Sequence, residues 1–191
     1  MSDIVLNNLS KAYDGKQVLD HLSLTLPEGK RTFIMGPSGC GKTTLLNILC
    51  GLQKADEGEI RNLPEKIGVV FQENRLCEHF TALENVRMVA PDKTETAKDI
   101  LSRLGLANDL YQKATSLSGG MKRRVAIARA LCYDAPLVVM DEPFKGLDEE
   151  TKETVMETVM DMTKGKTLLI ITHDEQEAQR FADNIVVLQE H

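Results

Sequence analysis

The sequence predicts an α/β fold in which helices cover a mostly parallel sheet. Two observations support this class. Short apolar runs, such as residues 67–71 and 137–140, alternate along the chain with segments of helical period. Strands that are apolar throughout are typical of parallel sheets buried on both faces. The long stretch between Phe71 and Leu137 has a helical pattern, so we interpret it as a helical insertion.

Six short runs mark the predicted strands. The first alternates leucine with serine and threonine, as expected of a half-buried strand. The other five are mainly apolar and are expected to be buried. The runs are residues 22–26 (LSLTL), 31–35 (RTFIM), 67–71 (IGVVF), 137–140 (LVVM), 167–171 (TLLII) and 185–188 (IVVL).

Helices are predicted between these runs by apolar spacing and by end signals. Residues 42–50 form one helix, which Gly51 ends. A second has apolar residues at helical spacing, with Thr94 as its N-cap and Gly105 as its end. Its apolar face consists of Ala97, Ile100, Leu101 and Leu104. A third helix has a face formed by Val155, Val159 and Met162.

Composition excludes several classes of function. The 191 residues are 42% hydrophobic and 27% charged, which is ordinary for one globular domain. A net charge of -6 disfavours a protein whose main ligand is nucleic acid. The four cysteines are far apart, so neither a zinc site nor a disulfide framework is indicated. No signal peptide is apparent, and no apolar run approaches the about 20 residues that span a bilayer.

The segment GPSGCGKT, residues 36–43, has the pattern GxxxxGK[ST] between a predicted strand and a predicted helix. In this context backbone N–H groups at the helix N-terminus surround phosphate oxygens. Lys42 is expected to reach the β- and γ-phosphates, and the Thr43 hydroxyl is expected to hold Mg²⁺. The predicted phosphate-binding residues are Gly36, Pro37, Ser38, Gly39, Cys40, Gly41, Lys42, Thr43 and Thr44.

Two acids follow the apolar run 137–140. Asp141 and Glu142 are therefore expected at the carboxyl end of a strand, where open α/β sheets bind ligands. Asp141 is the expected partner of Mg²⁺, and Glu142 is placed to orient or deprotonate the attacking water. The alternative is a solvated acidic pair at a strand end, which the nearby phosphate loop disfavours.

Two more strands end in polar residues with a candidate role. His173 follows residues 167–171, and Gln72 follows residues 67–71, so both are expected at the same sheet edge. A histidine there can donate to the γ-phosphate or the water, and an amide can bind both Mg²⁺ and the water. The alternative is that His173 and Gln72 are ordinary polar residues at strand ends. Tyr13 is a candidate for stacking on adenine, although a lone tyrosine more often packs in the fold.

The segment LSGGMKRRVAIARAL, residues 117–131, predicts an amphipathic helix with an unusual start. Cations occupy positions 122–124, where the helix dipole disfavours positive charge, and a nearby anion would resolve the conflict. Ser118 as N-cap, with Gly119 and Gly120, would present a hydroxyl and free N–H groups to such an anion. An ordinary capped helix with a solvated basic face is the alternative.

With LSGGM included, the sequence resembles the ATP-binding subunits of ABC transporters over residues 5–188. The matching features are the adenine-stacking aromatic Tyr13, the Walker A loop 36–43, the Q-loop Gln72, the signature 117–121, the Walker B residues Asp141 and Glu142, the D-loop 146–148 and the switch histidine His173. The resemblance implies a P-loop NTPase fold of the ABC type, with an N-terminal antiparallel β region and an inserted α-helical subdomain. It also implies one domain, residues 1–191, whose core is 1–72 and 136–191 and whose helical subdomain is 73–135.

The resemblance further implies ATP hydrolysis with Mg²⁺, for which the catalytic residues are Glu142, His173, Gln72 and Lys42. In this family two subunits pair head to tail, and the signature of one, here Ser118, Gly119 and Gly120, closes over ATP on the other. Two copies of this chain are the expected pair. Integral membrane permease subunits and a substrate-binding protein are the other expected partners, with no nucleic acid. The expected location is cytoplasmic, on the inner face of the cell membrane.

The direction of transport has a weaker signal. The glutamate after Gln72 is similar to importers of the nitrate, sulfonate and taurine type, so import is expected. Exporters and lipoprotein-release ATPases share most of these motifs and are one alternative. A soluble ABC ATPase acting on DNA or the ribosome is another, although the short interval from Lys42 to Ser118 leaves no room for a coiled-coil arm. The D-loop departs from the family pattern, because Lys145 and Gly146 stand where a small residue and alanine are usual.

Overall fold

The computed structural model describes residues 2–189, and these form eight strands and six α-helices. The strands are β1 (Ile4–Tyr13), β2 (Lys16–Leu26), β3 (Arg31–Met35), β4 (Glu57–Arg61), β5 (Ile67–Val70), β6 (Leu137–Asp141), β7 (Thr167–Ile171) and β8 (Asn184–Val187). The helices are α1 (Lys42–Leu49), α2 (Ala82–Arg87), α3 (Thr94–Arg103), α4 (Gly119–Cys132), α5 (Glu149–Met162) and α6 (Glu175–Phe181), and a 3₁₀ turn covers Ala114–Ser116.

Five strands form the central sheet, in the order β5-β6-β7-β3-β8, and every neighbouring pair is parallel. This confirms the predicted parallel sheet. Because all five strands run the same way, their carboxyl ends lie along one edge of the sheet. The polar residues that follow β3, β5, β6 and β7 are thereby brought together.

A second sheet, in the order β2-β1-β4, is antiparallel, which confirms the N-terminal antiparallel region. A buried cluster that includes Leu6, Leu26 and Leu46 fills the space between this sheet, α1 and one face of the parallel sheet. A second cluster, which includes Ile100, Ile127 and Val155, packs α2 to α5 on the other face. The parallel sheet therefore lies between two apolar layers.

The insertion between β5 and β6 is helical, as predicted, and holds α2, α3 and α4. The predicted N-cap of α3 is wrong by one residue. The Lys93 carbonyl accepts the first intrahelical hydrogen bond, from the Ala97 N–H at 2.9 Å, so Lys93 holds the cap position and Thr94 is the first helical residue. Gly105 follows the helix with a positive φ of 72°, in agreement with its predicted role.

The predicted burial of residues 185–188 is wrong for two of its side chains. Ile185 is 47% exposed and Val187 is 65% exposed. The reason is position, because β8 is the edge strand of the sheet and pairs only with β3 among the described residues. Within residues 2–189, no helix has the length and apolar character needed to cross a membrane.

Candidate nucleotide-binding and hydrolysis site

A cavity of about 340 Å³ opens at the carboxyl edge of the parallel sheet. The predicted residues that line it are Gly36, Ser38, Gly39, Gly41, Lys42, Thr43, Thr44, Gln72, Asp141, Glu142 and His173. Two further residues, Val18 and Lys145, also line it. The structure thus brings residues from four separate strand ends into one cavity.

The phosphate loop connects β3 to α1 and depends on two glycines. Gly36 has φ of 148°, and a Cβ there would lie 2.5 Å from the Leu188 carbonyl oxygen. Gly41 has φ of 95°, and a Cβ there would lie 2.7 Å from the Val18 carbonyl oxygen. Both the backbone conformation and the lack of space therefore require glycine.

The Lys42 ammonium folds back over this loop. It donates to the carbonyl oxygens of Gly36 at 2.7 Å and Pro37 at 2.6 Å. The Cys40 sulfur lies 3.6 Å away and is buried beneath the loop. An incoming phosphate group would compete with these carbonyls for the Lys42 ammonium, which has three N–H donors.

A hydroxyl and a carboxylate meet across the cavity floor. The Thr43 hydroxyl, in the first turn of α1, lies 3.3 Å from the Asp141 carboxylate at the end of β6. Asp141 is only 4% exposed. This burial raises the pKa of Asp141, the charge of Glu142 raises it further, and the Thr43 hydrogen bond opposes both.

The Thr43 and Asp141 pair fits the donor set for Mg²⁺, which prefers oxygen ligands. In residues 2–189, no group of three or more His, Cys, Asp or Glu side chains could hold a metal ion by itself. Magnesium in phosphate-transfer sites is usually held by one or two protein oxygens together with water and substrate phosphates. A site with few protein ligands beside a phosphate loop agrees with that pattern.

Glu142 and His173 form a close pair next to this floor. The His173 Nδ1 lies 2.8 and 2.7 Å from the two Glu142 carboxylate oxygens. The contact follows from the register of β6 and β7, in which Asp141 stands beside Ile171. The Glu142 side chain is 14% exposed and the His173 side chain is 64% exposed. A shielded carboxylate held by a histidine at a phosphate loop can accept a proton from water.

The signature residues lie near this pair but around an adjoining cavity. Gly119 and Gly120 line that cavity together with Gln72 and Glu142. Ser118 is the N-cap of α4, because its hydroxyl accepts the Met121 N–H at 3.2 Å. The predicted capping role of Ser118 is confirmed.

Besides Ser118, Gly119 and Gly120 of the signature, three predicted nucleotide-binding residues do not line the main cavity, namely Tyr13, Pro37 and Cys40. Tyr13 ends β1 at the hairpin with β2 and is 39% exposed. The Lys11 ammonium lies 5.7 Å from the centre of its ring. Val18, on β2 of the same hairpin, reaches the cavity instead.

A nearby anion would resolve the conflict between the helix dipole and the cations at 122–124, but two of the three cations already have partners in their own chain. Arg123 is buried, and its guanidinium donates to the Glu142 carbonyl oxygen at 2.7 Å. Arg124 donates to the carbonyl oxygens of Leu104 at 2.8 Å and Gly105 at 3.1 Å, at the end of α3. Both positive charges therefore interact with backbone dipoles of their own chain. Sequence patterns could not indicate these contacts, because they join segments far apart along the chain.

Known proteins resemble this chain in sequence and in fold. Residues 19–145 match the family described as ABC transporter. The aliphatic sulfonates import ATP-binding protein SsuB of Cupriavidus pinatubonensis is 38% identical, over 94% of this chain and 64% of its own length. The tungstate uptake system ATP-binding protein TupC of Peptoclostridium acidaminophilum is 38% identical, over 97% of this chain and 94% of its own.

Relatives differ in length and solved structures share the fold. The chain spans 45% of the spermidine/putrescine import ATP-binding protein PotA of Bacteroides fragilis, which is 36% identical. A dimeric structure of MJ0796, a bacterial ABC transporter cassette, has a TM-score of 0.88 and 34% identity, and covers 97% of this chain and 94% of that one. A post-hydrolysis state of MJ0796 bound to ADP and Pi also has a TM-score of 0.88. By its motifs, its fold and these matches, the chain belongs to the ABC transporter family.

Proposed function

We propose that this chain is the ATPase subunit of an importer, which hydrolyses ATP as a head-to-tail dimer and drives transport through permease subunits in the membrane. The observation that carries the proposal is the Glu142 carboxylate held against His173, beside a phosphate loop and the Thr43–Asp141 pair. We divide the chain into a core of residues 1–72 and 136–191 and a helical subdomain of residues 73–135.

ATP binds with its phosphates in the loop 36–43. The N–H groups at the start of α1 surround the phosphate oxygens, and Lys42 exchanges its two carbonyl contacts for the β- and γ-phosphates. Tyr13 stacks on the adenine. Mg²⁺, when held by Thr43, Asp141 and Gln72, would neutralise negative charge on the phosphate oxygens.

Hydrolysis uses the Glu142–His173 pair. A water oxygen forms a bond to the γ-phosphorus while the bond to the bridging oxygen of ADP breaks, and Glu142 accepts the water proton. His173 holds the Glu142 carboxylate and donates to the γ-phosphate, and Gln72 orients the water. The products are ADP and inorganic phosphate.

A second copy completes the site. Ser118, Gly119 and Gly120 of one subunit close over the ATP on the other, where free N–H groups at the start of α4 face the γ-phosphate. The dimeric structures of the MJ0796 cassette support this assembly. Lys145 borders both cavities and Gly146 borders the adjoining one, so we place the D-loop at the same interface.

The helical subdomain has an exposed surface suited to a membrane partner. Phe80 is 44%, Met88 48% and Tyr111 71% exposed. Backbone hydrogen bonds join residues 80–83 to residues 110–114, so Phe80 and Tyr111 lie on two paired segments. Exposed apolar side chains on such segments favour a protein contact, and we assign it to permease subunits at the inner face of the cell membrane. A substrate-binding protein would complete the importer.

Relatives support the direction of transport. TupC and SsuB, equally identical to this chain, are named for uptake of tungstate and import of aliphatic sulfonates. Different cargoes at the same identity agree with cargo selection by other subunits.

Phosphate release from ATP tests the proposal. The wild-type protein should hydrolyse ATP, and Glu142→Gln should bind ATP while its turnover falls by about 100-fold or more, since proton transfer by a positioned base contributes 10²–10⁴-fold. Binding is followed by the fluorescence of a labelled ATP analogue. Rapid turnover by Glu142→Gln would remove Glu142 as the base, and a wild-type protein that releases no phosphate would overturn the ATPase assignment.

A further inference from the structure

Arg123 is a buried guanidinium in the second turn of α4 that contacts two loops of the candidate site. It is 4% exposed. After β6 it donates to the carbonyl oxygens of Glu142 at 2.7 Å and Pro143 at 3.1 Å. After β5 it donates to the Gln72 carbonyl oxygen at 3.2 Å and the Asn74 side-chain oxygen at 3.4 Å. It also donates to the carbonyl oxygens of Phe71 and Asp141.

The hydrogen-bond acceptors of Arg123 are uncharged. Among residues 2–189, no carboxylate forms an ion pair with Arg123, and its donors are satisfied by backbone carbonyls and one amide. Burial lowers the pKa of Arg123, and the charges of Asp141 and Glu142 oppose that change. A buried cation is costly unless its donors are hydrogen-bonded, and here six acceptors at the end of β6 and in the turns after β5 and β6 satisfy them.

The first consequence concerns Glu142, which has a left-handed φ of 50°. This conformation is unfavourable for a residue with a side chain, and it persists only where the surroundings fix it. Three consecutive carbonyls, from Asp141 to Pro143, converge on the one guanidinium, and the Glu142 N–H donates to the Ile171 carbonyl at 2.8 Å. The turn that aims the Glu142 carboxylate at His173 is thus held on both sides.

The second consequence concerns the position of Gln72 relative to Glu142. One planar group contacts the backbone of both Gln72 and Glu142, so the separation of these two residues depends on Arg123. The same helix has Ser118 at its N-cap. A shift of α4 that moves Ser118 must therefore act on the turns that hold Gln72 and Glu142.

We propose that Arg123 is a positioning residue, which fixes Glu142 and Gln72 relative to each other and transmits the position of the signature helix to them. This inference rests on the proposed ATPase function. It predicts that loss of the Arg123 contacts impairs turnover much more than ATP binding.

The test compares Arg123→Gln and Arg123→Lys with a control arginine, in the variant Arg103→Gln. Arg103 ends α3 and donates to the Asp161 carboxylate of α5 at 2.6 Å, away from Glu142 and from the signature. For each variant we would measure the thermal midpoint, the affinity for a fluorescent ATP analogue, and kcat per folded molecule. These readouts separate a loss of stability from a loss of turnover.

Arg123→Gln should lower kcat by about 100-fold, because a displacement of about 1 Å at the reacting groups has that effect. Its affinity for the ATP analogue should stay within about threefold, since the phosphate loop is untouched. Arg123→Lys keeps the charge and part of the contacts, so its kcat should be intermediate. Arg103→Gln should lower the thermal midpoint slightly and leave kcat unchanged.

A wild-type kcat per folded molecule in Arg123→Gln, with only a lower thermal midpoint, would overturn the positioning role. If that variant does not fold, Arg123→Lys decides, and a wild-type kcat there would overturn the role as well. Failure of the proposed function would give a different result, because the wild-type protein itself would then release no phosphate. The inference about Arg123 would fail with it.

Discussion

Glu142 combines a strained backbone with a shielded carboxylate, at the point where β6 ends. A left-handed conformation costs a residue with a side chain about 1–2 kcal/mol. Here the Ile171 carbonyl and the Arg123 guanidinium hold the turn, and His173 holds the carboxylate. Strain of this kind is characteristic of functional sites, where the surrounding structure maintains one conformation.

His173→Ala should lower ATP turnover by about 100-fold, because the Glu142 carboxylate loses the partner that orients it toward the water. Steady-state phosphate release at saturating ATP measures the change. His79→Ala is the control, since His79 is exposed and follows β5 outside the cavity. Turnover of His173→Ala within a factor of about two of the wild-type value would show that His173 has no such role.

The side chains at strand ends were predictable, because Gln72, Asp141, Glu142 and His173 each follow an apolar run and parallel strands end at one edge. Lys145 was apparent only as a departure from the family pattern, whereas in the structure it lines the cavity. Arg123 was interpreted as a cation in need of an anion. Its carbonyl partners lie 18 to 52 residues away along the chain, and sequence patterns do not specify such contacts.

At the scale of elements, α4 approaches β5 of the parallel sheet closely at Gly68. A Cβ at Gly68 of β5 would lie 2.8 Å from the Ala130 carbonyl oxygen of α4, so glycine permits the approach. This close packing of α4 against β5 brings Arg123 to the carbonyls that follow β5 and β6. Apolar spacing predicted that α4 packs on the core, but the packing distance depends on Gly68, whose role the sequence alone did not indicate.

Asp134 connects three elements just after α4. Its carboxylate lies 2.6 Å from the Lys166 ammonium before β7 and 3.0 Å from the Lys93 ammonium at the start of α3. Hydrogen bonds from Lys166 and Lys93 lower the pKa of Asp134 to about 2. The pKa of Asp134 in the folded protein is below its ordinary value of 3.8, so the charged carboxylate stabilises the fold above about pH 4. This stabilisation is lost as pH falls through about 2.

Asp134→Asn should therefore lower the free energy of unfolding at neutral pH, and the deficit should shrink as pH falls from about 4 to about 2. The deficit should stay below about 1 kcal/mol, since the ion pairs are largely exposed. Asparagine suits the left-handed φ of 57° at this position. Urea unfolding at a series of pH values measures the difference.

Asp92→Asn is the matched control for this measurement. Asp92 is an exposed aspartate in the turn before α3, and its carboxylate forms no ion pair within residues 2–189. Its substitution should leave the pH dependence of unfolding unchanged. A constant deficit for Asp134→Asn across the whole pH range would contradict the ion-pair explanation.

At the scale of the whole molecule, the two groups of glycines border two adjoining cavities. The phosphate loop borders the main cavity, Gly119 and Gly120 border the other, and Glu142 borders both. In the proposed dimer the signature acts across an interface, which explains why one chain carries two groups of glycines suited to phosphate. The fold class and the parallel sheet were predictable, whereas the exposed edge of β8 depended on strand order, which the apolar pattern does not encode.

The central claim is that ATP joins two copies of this chain through the signature. Its most direct test is the solution mass of Glu142→Gln by light scattering on a sizing column, with and without ATP and Mg²⁺. We expect a shift from 21.2 kDa to twice that mass when ATP and Mg²⁺ are present. The control is the double variant that combines Glu142→Gln with Ser118→Arg. The second substitution places a bulky cation at the signature, so this protein should stay monomeric although it still binds ATP. A mass of 21.2 kDa for Glu142→Gln at saturating ATP would contradict the shared site.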